Sequence, residues 1–293
     1  MDSEKPYRGR FAPSPTGPLH LGSLLAAVGS WMMARQGQGQ GQWLIRIEDI
    51  DPLREIKGAA NDHIEILKAF GMESDEPIIW QSQRHDRYQE ILQKLMSAGE
   101  AFECFCSRKD LINHHGVHRF CISKNAEKHS AIRLKIPDTT IQFYDQFQGH
   151  FSQVLGTDVG DMIIRRADNF WAYQLAVVVD DADQNITHIV RGKDLLSSTP
   201  KQIYLQSILG FPTPQYAHLP LVLDETGQKL SKSLIACPID PHEPIPALRK
   251  VWQHLGQSLT SWPNDDNPER ALFRAIGRFE AGKIPAFSQL PTG

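Results

Sequence analysis

The first apolar positions of the chain predict a strand followed by a helix. Residues 8–12 form a short strand candidate, which Pro13, Pro15, Gly17 and Pro18 close. Beyond this turn, apolar side chains recur at helical spacing: Leu21, Leu24, Leu25, Val28, Trp31 and Met32. A strand, a Gly/Pro loop and a helix in this order are typical of the start of a βαβ unit. A second strand is predicted at Trp43–Ile47.

Two amphipathic helices and an irregular stretch follow. The helices are predicted at Asn61–Phe70 and Asp86–Ala98, with Gly71 and Gly99 as terminators. From Phe102 to about residue 160 the chain has short strand-like runs, cysteines, histidines and polar turns. Such a stretch between two α/β halves predicts an inserted domain.

Regular patterns return in the second half. Three strands are predicted there: Ala172–Val179, Thr187–Val190 and Leu219–Leu223. A helix is predicted from Thr199, as a plausible N-cap, through Leu209 to the terminator Gly210. The tail predicts two helices, lined by Leu248, Val251, Trp252 and Leu255 and by Leu272, Ala275, Ile276 and Phe279.

Composition restricts the functional classes. The 293 residues are 41% hydrophobic and 22% charged, which is ordinary for a folded protein with a core. A net charge of −3 means that any contact with RNA needs a local basic surface. Residues 1–10 offer no apolar signal segment, no run reaches the length of a membrane span, and four cysteines do not suggest a disulfide scaffold. We therefore expect a cytoplasmic protein with no membrane partner.

Two short motifs carry candidate chemistry. The first, at residues 15–22 (Pro-Thr-Gly-Pro-Leu-His-Leu-Gly), joins the first strand to its helix. There Gly22 lets a nucleotide approach the backbone, the helix N-terminus favours phosphate, and His20 can donate a hydrogen bond to it. The second, at residues 229–233 (Lys-Leu-Ser-Lys-Ser), follows the strand predicted at Leu219–Leu223. Each motif alone is weak, because most His-x-Gly triplets are ordinary turns and most Lys/Ser loops are solvated surface.

Together the two motifs resemble the HIGH and KMSKS signatures of class I aminoacyl-tRNA synthetases, which hold ATP over a Rossmann-like sheet. The resemblance implies that an amino-acid carboxylate attacks the α-phosphate and that pyrophosphate leaves, with Mg²⁺ on the ATP phosphates. It implies His20, Lys229 and Lys232 as catalytic residues, and His20, Gly22 and Lys232 as ATP-binding residues. The transition state concentrates negative charge, which positioned donors and cations stabilise.

Longer segments narrow the resemblance to the glutamyl branch. Residues 9–17, 45–51, 172–181 and 187–195 are similar to four blocks of the glutamyl-tRNA synthetases, and the resemblance runs from about residue 7 to 240. It implies that a glutamate pocket is lined by Arg10, Phe11, Ala12, Pro13, Ser14, Glu48, Tyr173 and Arg191, with Glu48 towards the ammonium group. Arg10 and Arg191 are the candidates to clamp the two carboxylates, because arginine grips a carboxylate through two parallel bonds. The alternative for Tyr173 and Glu48 is a structural role.

The length of the chain distinguishes members of this branch. Residues 234–293 follow the second motif, whereas glutamyl-tRNA synthetases carry a large helical anticodon-binding region there. A shorter chain with Cys-x-Cys in its insertion is similar to the glutamyl-queuosine tRNA(Asp) synthetases. That family activates L-glutamate without tRNA and esterifies it to queuosine at the wobble position of tRNA(Asp). The implied partners are glutamate, ATP and that anticodon stem-loop, bound by a monomer; candidate phosphate contacts are Arg165, Arg166, Lys193 and Lys201.

Two other functions stay open from the sequence. The chain could be a truncated glutamyl-tRNA synthetase that charges the 3′ end of a tRNA, a reaction with the same catalytic motifs. It could also be a non-catalytic RNA-binding paralogue, against which the intact His20, Lys229 and Lys232 argue.

The cysteines predict a metal site in the inserted segment. Cys104, Cys106 and Cys121 offer three soft ligands, and structural zinc takes four. The family pattern has a tyrosine where this chain has Val117, which cannot be a ligand. We expect His118, one residue further on, as the fourth ligand, with His114 and His115 as alternatives. The competing hypothesis is three free thiols.

The expected fold is α/β. It combines a Rossmann-like class I synthetase catalytic domain, an inserted zinc-containing α+β subdomain and a short helical C-terminal tail. The predicted boundaries are 1–100 and 188–240 for the catalytic halves, 101–187 for the insertion and 241–293 for the tail.

Overall fold

Two groups of parallel strands form the centre of the protein, which the computed structural model describes for residues 6–37, 41–107, 109–123, 129–222 and 238–286. The strands are β1 (Arg8–Phe11), β2 (Gln42–Ile47), β3 (Ile79–Trp80), β4 (Ala101–Cys104), β5 (Ala131–Leu134), β6 (Thr140–Asp145), β7 (Gly149–Val154), β8 (Met162–Arg165), β9 (His188–Gly192) and β10 (Gln215–Leu219). The α-helices are α1 (Leu21–Gln36), α2 (Ala59–Ala69), α3 (His85–Ser97), α4 (Leu155–Asp158), α5 (Tyr173–Asp183), α6 (Thr199–Leu209), α7 (Pro244–His254) and α8 (Pro268–Ile276).

The spatial order of the parallel strands reverses at one point of the fold, and such a point is where a ligand site is expected. Strands β1, β2 and β3 form one parallel set, and β10 pairs in parallel with both β9 and β6. The two sets meet where the Thr187 amide donates to the Arg8 carbonyl at 3.0 Å, which brings β1 beside β9. From β1 the order of parallel strands runs to β2 and β3 on one side, and to β9 and β10 on the other. In such sheets the crevice for ligands opens at the carboxyl ends of the strands at this switch point.

Helix α1 packs across both sets of strands. The indole of Trp43 on β2 lies beneath the helix and donates from Nε1 to the Ser30 hydroxyl at 2.9 Å. A Cβ at Gly29 would lie 2.7 Å from Leu219 Cδ1, so glycine allows the close approach to β10. Helices α7 and α8 bury Leu248, Trp252 and other apolar side chains in the same core. Within the described ranges, no helix combines the length and apolar character needed to cross a bilayer.

Several predicted elements are confirmed with small shifts at their ends. The strands at Trp43–Ile47 and Thr187–Val190 are β2 and β9, and the helices at Asn61–Phe70 and Asp86–Ala98 are α2 and α3. Gly210 ends α6 in the left-handed region, with φ +71°. The tail forms the two expected helices, and Asn267 caps α8 by accepting from the Arg270 amide.

The prediction of a strand at Ala172–Val179 is wrong, because the segment forms helix α5. Val177, Val178 and Val179 favour a strand by intrinsic preference. In the structure every residue from Leu175 to Asp181 is buried, so this part of the helix has no solvent face to produce a 3.6-residue period. Burial on all sides therefore outweighs the preference of the three valines.

Two other boundaries differ from the predictions. Where a strand was predicted at Leu219–Leu223, the structure has β10 at Gln215–Leu219, and Leu223 lies outside the described residues. Pro220, which has no N–H to donate to a neighbouring strand, follows the last residue of β10. Thr199 is the first residue of α6 rather than its N-cap, and a 3₁₀ turn at Lys193–Ser198 precedes it. Its hydroxyl accepts a hydrogen bond from Arg191 Nη2 at 2.9 Å instead of capping the helix.

The irregular middle segment contributes to two sheets. Strands β4, β5 and β8 form an antiparallel sheet. The hairpin of β6 and β7 joins the parallel set, since β6 lies beside β10 with Asp145 opposite Tyr216. The domain boundaries given above stay predictions.

Gly71 gives a test of how the tail is fixed to the first half of the chain. Gly71 has φ +79°, and a Cβ there would lie 2.5 Å from Glu269 Cα on α8. Gly99 has φ +71° and nothing within 4 Å of an added Cβ, so Gly99→Ala is the matched control. We expect Gly99→Ala to lower the free energy of unfolding by about 1 kcal/mol. Gly71→Ala should cost about 2–4 kcal/mol, because the α8 backbone must also move. Equal losses in urea unfolding would contradict this arrangement.

Candidate functional site

A cleft of about 1180 Å³ opens at the carboxyl ends of the parallel strands. Its walls come from the ends of β1 and β9, the turns after β2 and β10, and the start of α1. The residues predicted for substrate and nucleotide that line it are Arg10, Phe11, Ala12, Pro13, Ser14, His20, Gly22, Glu48, Tyr173 and Arg191. Lys229 and Lys232 lie outside the described residues.

His20 lies at the mouth of this cleft as the N-cap of α1. Its Nδ1 accepts from the Ser23 amide at 3.2 Å, which satisfies one of the amides at the start of the helix. A Cβ at Gly22 would lie 3.2 Å from the imidazole, so the absence of a side chain lets the ring lie against the backbone. The first turn of α1 therefore faces the cleft with its positive end.

A buried group of charged side chains lies at the floor of the cleft, where two of its members, Arg10 and Glu48, line the cleft. Arg10 donates from Nε to Asp181 at 3.0 Å, and Arg46 lies 2.8 Å from the same carboxylate. Arg46 also lies 3.4 Å from Glu48 and 3.8 Å from Asp180. These side chains are nearly excluded from solvent. Two guanidinium groups and three carboxylates therefore share one region of low dielectric, where each charge depends on its neighbours.

Glu48 is the acid of this group with a raised pKa. Burial raises the pKa of Glu48 to about 7, against the opposing effect of Arg46 and Arg10, and Asp181 and Asp180 raise it further. The pKa of Asp181 is lowered instead: burial would raise it, but the two guanidinium groups outweigh that effect. Within this buried group, Glu48 is thus a carboxyl that can change its protonation near neutral pH.

Arg191 forms the opposite wall and is held by several side chains. Its Nε donates to His218 Nε2 at 3.0 Å, and its Nη1 donates to the Tyr173 hydroxyl at 3.3 Å. Nη2 donates to Thr199 Oγ1 at 2.9 Å and to the Leu195 carbonyl at 3.4 Å. The guanidinium carbon also lies 5.5 Å from the centre of the Tyr216 ring.

Three side chains that support the cleft arginines were absent from the predicted site. They are Asp181, His218 and Asp145. Asp181 lies within residues 172–181, a segment similar to the glutamyl-tRNA synthetases, but the resemblance implies no role for it. The signal available for His218 was an ionisable residue between apolar positions of a strand, which indicates a buried polar partner. The partner itself, Asp145, lies 73 positions away, and no local pattern connects the two residues.

The predicted metal ligands lie together on the middle segment. The ligand atoms of Cys104, Cys106, His118 and Cys121 all lie within 4.8 Å of one another. Cys104 Sγ is 3.2 Å from His118 Nε2, and His118 Nδ1 is 2.8 Å from Asp161. Three thiols and an imidazole, with a carboxylate behind the imidazole, are a donor set that could hold a metal ion with four ligands.

The predicted phosphate contacts are dispersed. Arg166 lines the cleft, where its Nη1 donates to Asp51 at 2.9 Å. Lys193 donates to the carbonyl of Ala286 at 3.1 Å. Burial lowers the pKa of Lys201. Arg165 lies at the end of β8.

The chain matches a known sequence family over most of its length. Residues 7–240 match the family described as tRNA synthetases class I (E and Q), catalytic domain. A Glutamyl-Q tRNA(Asp) synthetase of Xanthomonas campestris pv. campestris (strain 8004) is 49% identical over 289 residues, covering 98% of this chain and 96% of the relative. A protein of the same name from Neisseria meningitidis serogroup C / serotype 2a is 46% identical over 291 residues, covering 95% and 97%.

Solved structures have the same fold. A glutamate tRNA ligase from Elizabethkingia meningosepticum CCUG26117, solved in complex with its amino acid, superposes with a TM-score of 0.81 at 25% identity. The superposition covers 98% of this chain and 67% of that ligase. The glutamate-tRNA synthetase of Elizabethkingia anophelis gives a TM-score of 0.81 at 26% identity.

The raised pKa of Glu48 predicts a pH-dependent stability difference. The folded protein holds the Glu48 proton up to a pKa of about 7, whereas the reference value is 4.5. The folded state therefore binds more protons in this window, and the contribution of Glu48 to stability falls as pH rises through it. We expect Glu48→Gln to gain stability relative to the unchanged protein between about pH 4.5 and 7, by up to about 3 kcal/mol, and to gain nothing further above.

Urea unfolding at several pH values measures this difference. Glu90→Gln is the matched control, because the Glu90 side chain is 69% exposed. Parallel stability curves for Glu48→Gln and the unchanged protein would show that Glu48 does not titrate in this window.

Proposed function

The chain belongs to the class I (E and Q) tRNA synthetases, which are ligases, and from this premise we propose that it activates L-glutamate and transfers it to queuosine in tRNA(Asp). In the first step a glutamate carboxylate oxygen attacks the α-phosphorus of ATP, and pyrophosphate leaves. In the second step a hydroxyl of the queuosine cyclopentenediol attacks the adenylate carbonyl, the ester forms, and AMP leaves. Near-full-length relatives named for this reaction support the proposal most directly.

The proposed glutamate pocket lies between the two walls of the cleft. Arg10 and Arg191 provide one guanidinium on each side, which suits a substrate with two carboxylates. Glu48 faces the ammonium group when ionised, and the Tyr173 hydroxyl offers a hydrogen bond beside Arg191. An uncharged side-chain amide in place of the substrate's second carboxylate would leave one of these guanidinium groups without an anionic ligand. We therefore expect glutamate to be preferred over glutamine.

The proposed ATP site lies at the start of α1. The positive end of this helix suits the phosphates, and the His20 ring, which lies against the backbone at Gly22, is a nearby donor. The catalytic roles of Lys229 and Lys232 rest on the sequence motif, since both lie outside the described residues. Mg²⁺ bound with ATP supplies neutralisation of the phosphate charge.

The choice of tRNA is the finer part of the proposal. Relatives that match this chain along nearly their whole length are named Glutamyl-Q tRNA(Asp) synthetase, and we take Q to be queuosine. The superposed glutamate tRNA ligase has further chain, because the match covers 67% of it. The alternative is charging of the 3′-terminal adenosine by the shared catalytic residues. We propose action in the cytoplasm, as a monomer on the anticodon stem-loop.

Radiolabelled glutamate distinguishes these two acceptors. The purified protein would be incubated with ATP, Mg²⁺ and glutamate, and with tRNA(Asp) that carries or lacks queuosine. Each tRNA would be prepared with its full 3′ end and with the terminal adenosine removed. We expect label on queuosine-containing tRNA(Asp) irrespective of the terminal adenosine, and in the anticodon fragment after nuclease cleavage. Label that requires the terminal adenosine, or that enters tRNA(Glu) lacking queuosine, would support the alternative.

The metal cluster defined by Cys104, Cys106, His118 and Cys121 fits zinc in a structural role. Asp161 accepts from His118 Nδ1, so the Nε2 lone pair is directed to the three sulfurs. Zinc would link β4 to the loop that contains His118 and so fix the local fold. This site is separate from the proposed chemistry, because these four residues do not line the cleft.

Metal analysis tests both the ion and its histidine ligand. We expect one zinc per chain in protein purified without chelator, measured by mass spectrometry. His118→Ala should release its zinc to a chromogenic chelator at concentrations that leave the unchanged protein loaded, because three ligands bind more weakly than four. His114→Ala is the matched control and should retain zinc. Less than stoichiometric zinc in the unchanged protein, or equal loss in both variants, would contradict this assignment.

A further inference from the structure

The Arg191 guanidinium has most of its donors committed to the protein. Arginine has five N–H donors. Among the described residues, acceptors for four of them are His218 Nε2, the Tyr173 hydroxyl, Thr199 Oγ1 and the Leu195 carbonyl. The remaining N–H is on Nη1, the nitrogen that also contacts Tyr173 in the cleft wall. These hydrogen bonds fix the orientation of the guanidinium, so a ligand can bind to it from one direction only.

His218 can accept from Arg191 in one tautomer only. Its Nδ1 lies 2.5 Å from Asp145 Oδ2, and both side chains are fully buried. The other oxygen, Asp145 Oδ1, accepts from the amides of Phe147, Gln148 and His218 at 2.9–3.1 Å. An oxygen pair with this many donors is an ionised carboxylate, so the hydrogen between Asp145 and His218 belongs to Nδ1. The lone pair is then on Nε2, which faces Arg191 Nε.

We propose that Asp145 and His218 are positioning residues that orient the Arg191 guanidinium towards a carboxylate of the substrate. This inference rests on the proposed function, since it takes the ligand of Arg191 to be glutamate. Neither residue lines the cleft, so each acts through Arg191. The chain of bonds runs from the carboxylate of β6 through the imidazole of β10 to the guanidinium of β9.

The charges along this chain support a neutral imidazole. Burial lowers the pKa of His218, the bond to Asp145 raises it, and the nearby Arg191 lowers it, with a net shift below the usual value. For Asp145, burial would raise the pKa, but the hydrogen bonds from His218 and from backbone amides lower it. A protonated imidazole would place two cations 3.0 Å apart and remove the acceptor for Arg191 Nε.

Two amide substitutions separate the two ends of the imidazole. The amide of glutamine reaches the position of Nε2, and its oxygen can accept from Arg191. The amide of asparagine reaches the position of Nδ1, where it can donate to Asp145 but leaves Arg191 Nε without its acceptor. We expect His218→Asn to raise the KM for glutamate in ATP–pyrophosphate exchange by roughly 10- to 100-fold, the effect of losing a hydrogen bond to a charged group. His218→Gln should stay within about threefold of the unchanged protein, and the KM for ATP should not change in either variant.

The controls distinguish positioning from loss of fold. His254→Gln alters another buried histidine, on α7 away from the cleft, and should leave the KM for glutamate unchanged. In the unchanged protein, ¹⁵N NMR of labelled histidine should show two buried rings protonated at Nδ1 and unprotonated at Nε2, those of His118 and His218. The signal that remains in His118→Ala then belongs to His218.

The possible outcomes separate this inference from the proposed function. Absence of glutamate-dependent exchange in the unchanged protein would overturn the proposed function and, with it, the inference. Normal exchange with equal KM values for His218→Gln and His218→Asn would overturn the positioning role alone. So would parallel changes in the KM for glutamate and ATP, or a His218 ring protonated at Nε2.

Discussion

The carboxylate of Asp181 lies between the guanidinium groups of Arg10 and Arg46, and this buried contact connects three elements of the fold. Arg10 comes from β1, Arg46 from β2 and Asp181 from α5. Charges removed from water are expensive unless each has a partner, so loss of one member leaves the others uncompensated. The relative position of two parallel strands and the helix beside them is therefore fixed at the floor of the cleft, where Arg10 meets the ligand space.

Elements that are buried on one side were predicted more accurately than elements that are buried on all sides. Helices α2 and α3 have a solvent face, so their apolar residues repeat at helical spacing and their ends fall close to the prediction. Helix α5 is enclosed by other elements, and its run of valines predicts a strand. The error arises because hydrophobic periodicity appears only where a helix has one buried and one solvent-exposed face. Most of α5 is buried on all sides, so its sequence lacks this periodicity.

For the candidate site, contiguous motifs were informative and long-range partners were not. The segments around Arg10, Glu48 and Arg191 are recognisable because the residues that line the cleft are close together along each strand end. The groups that hold those side chains come from distant positions: Asp181 lies 171 residues from Arg10. The packing of strands and helices decides which acceptor lies beside a buried guanidinium. A single sequence does not show that packing directly.

The position of β6 between β7 and β10 has a consequence for how the chain can be rearranged. Its hairpin with β7 comes from the irregular middle segment, yet β6 completes the parallel set beside β10. Removing the segment would expose the hydrogen-bonding edge of β10 to other chains. It would also leave the imidazole of His218 without the carboxylate that selects its tautomer. A chimera in which the middle segment is replaced must therefore retain the β6–β7 hairpin of the protein that supplies β10. The points at which the two sequences are joined must lie outside residues 140–154.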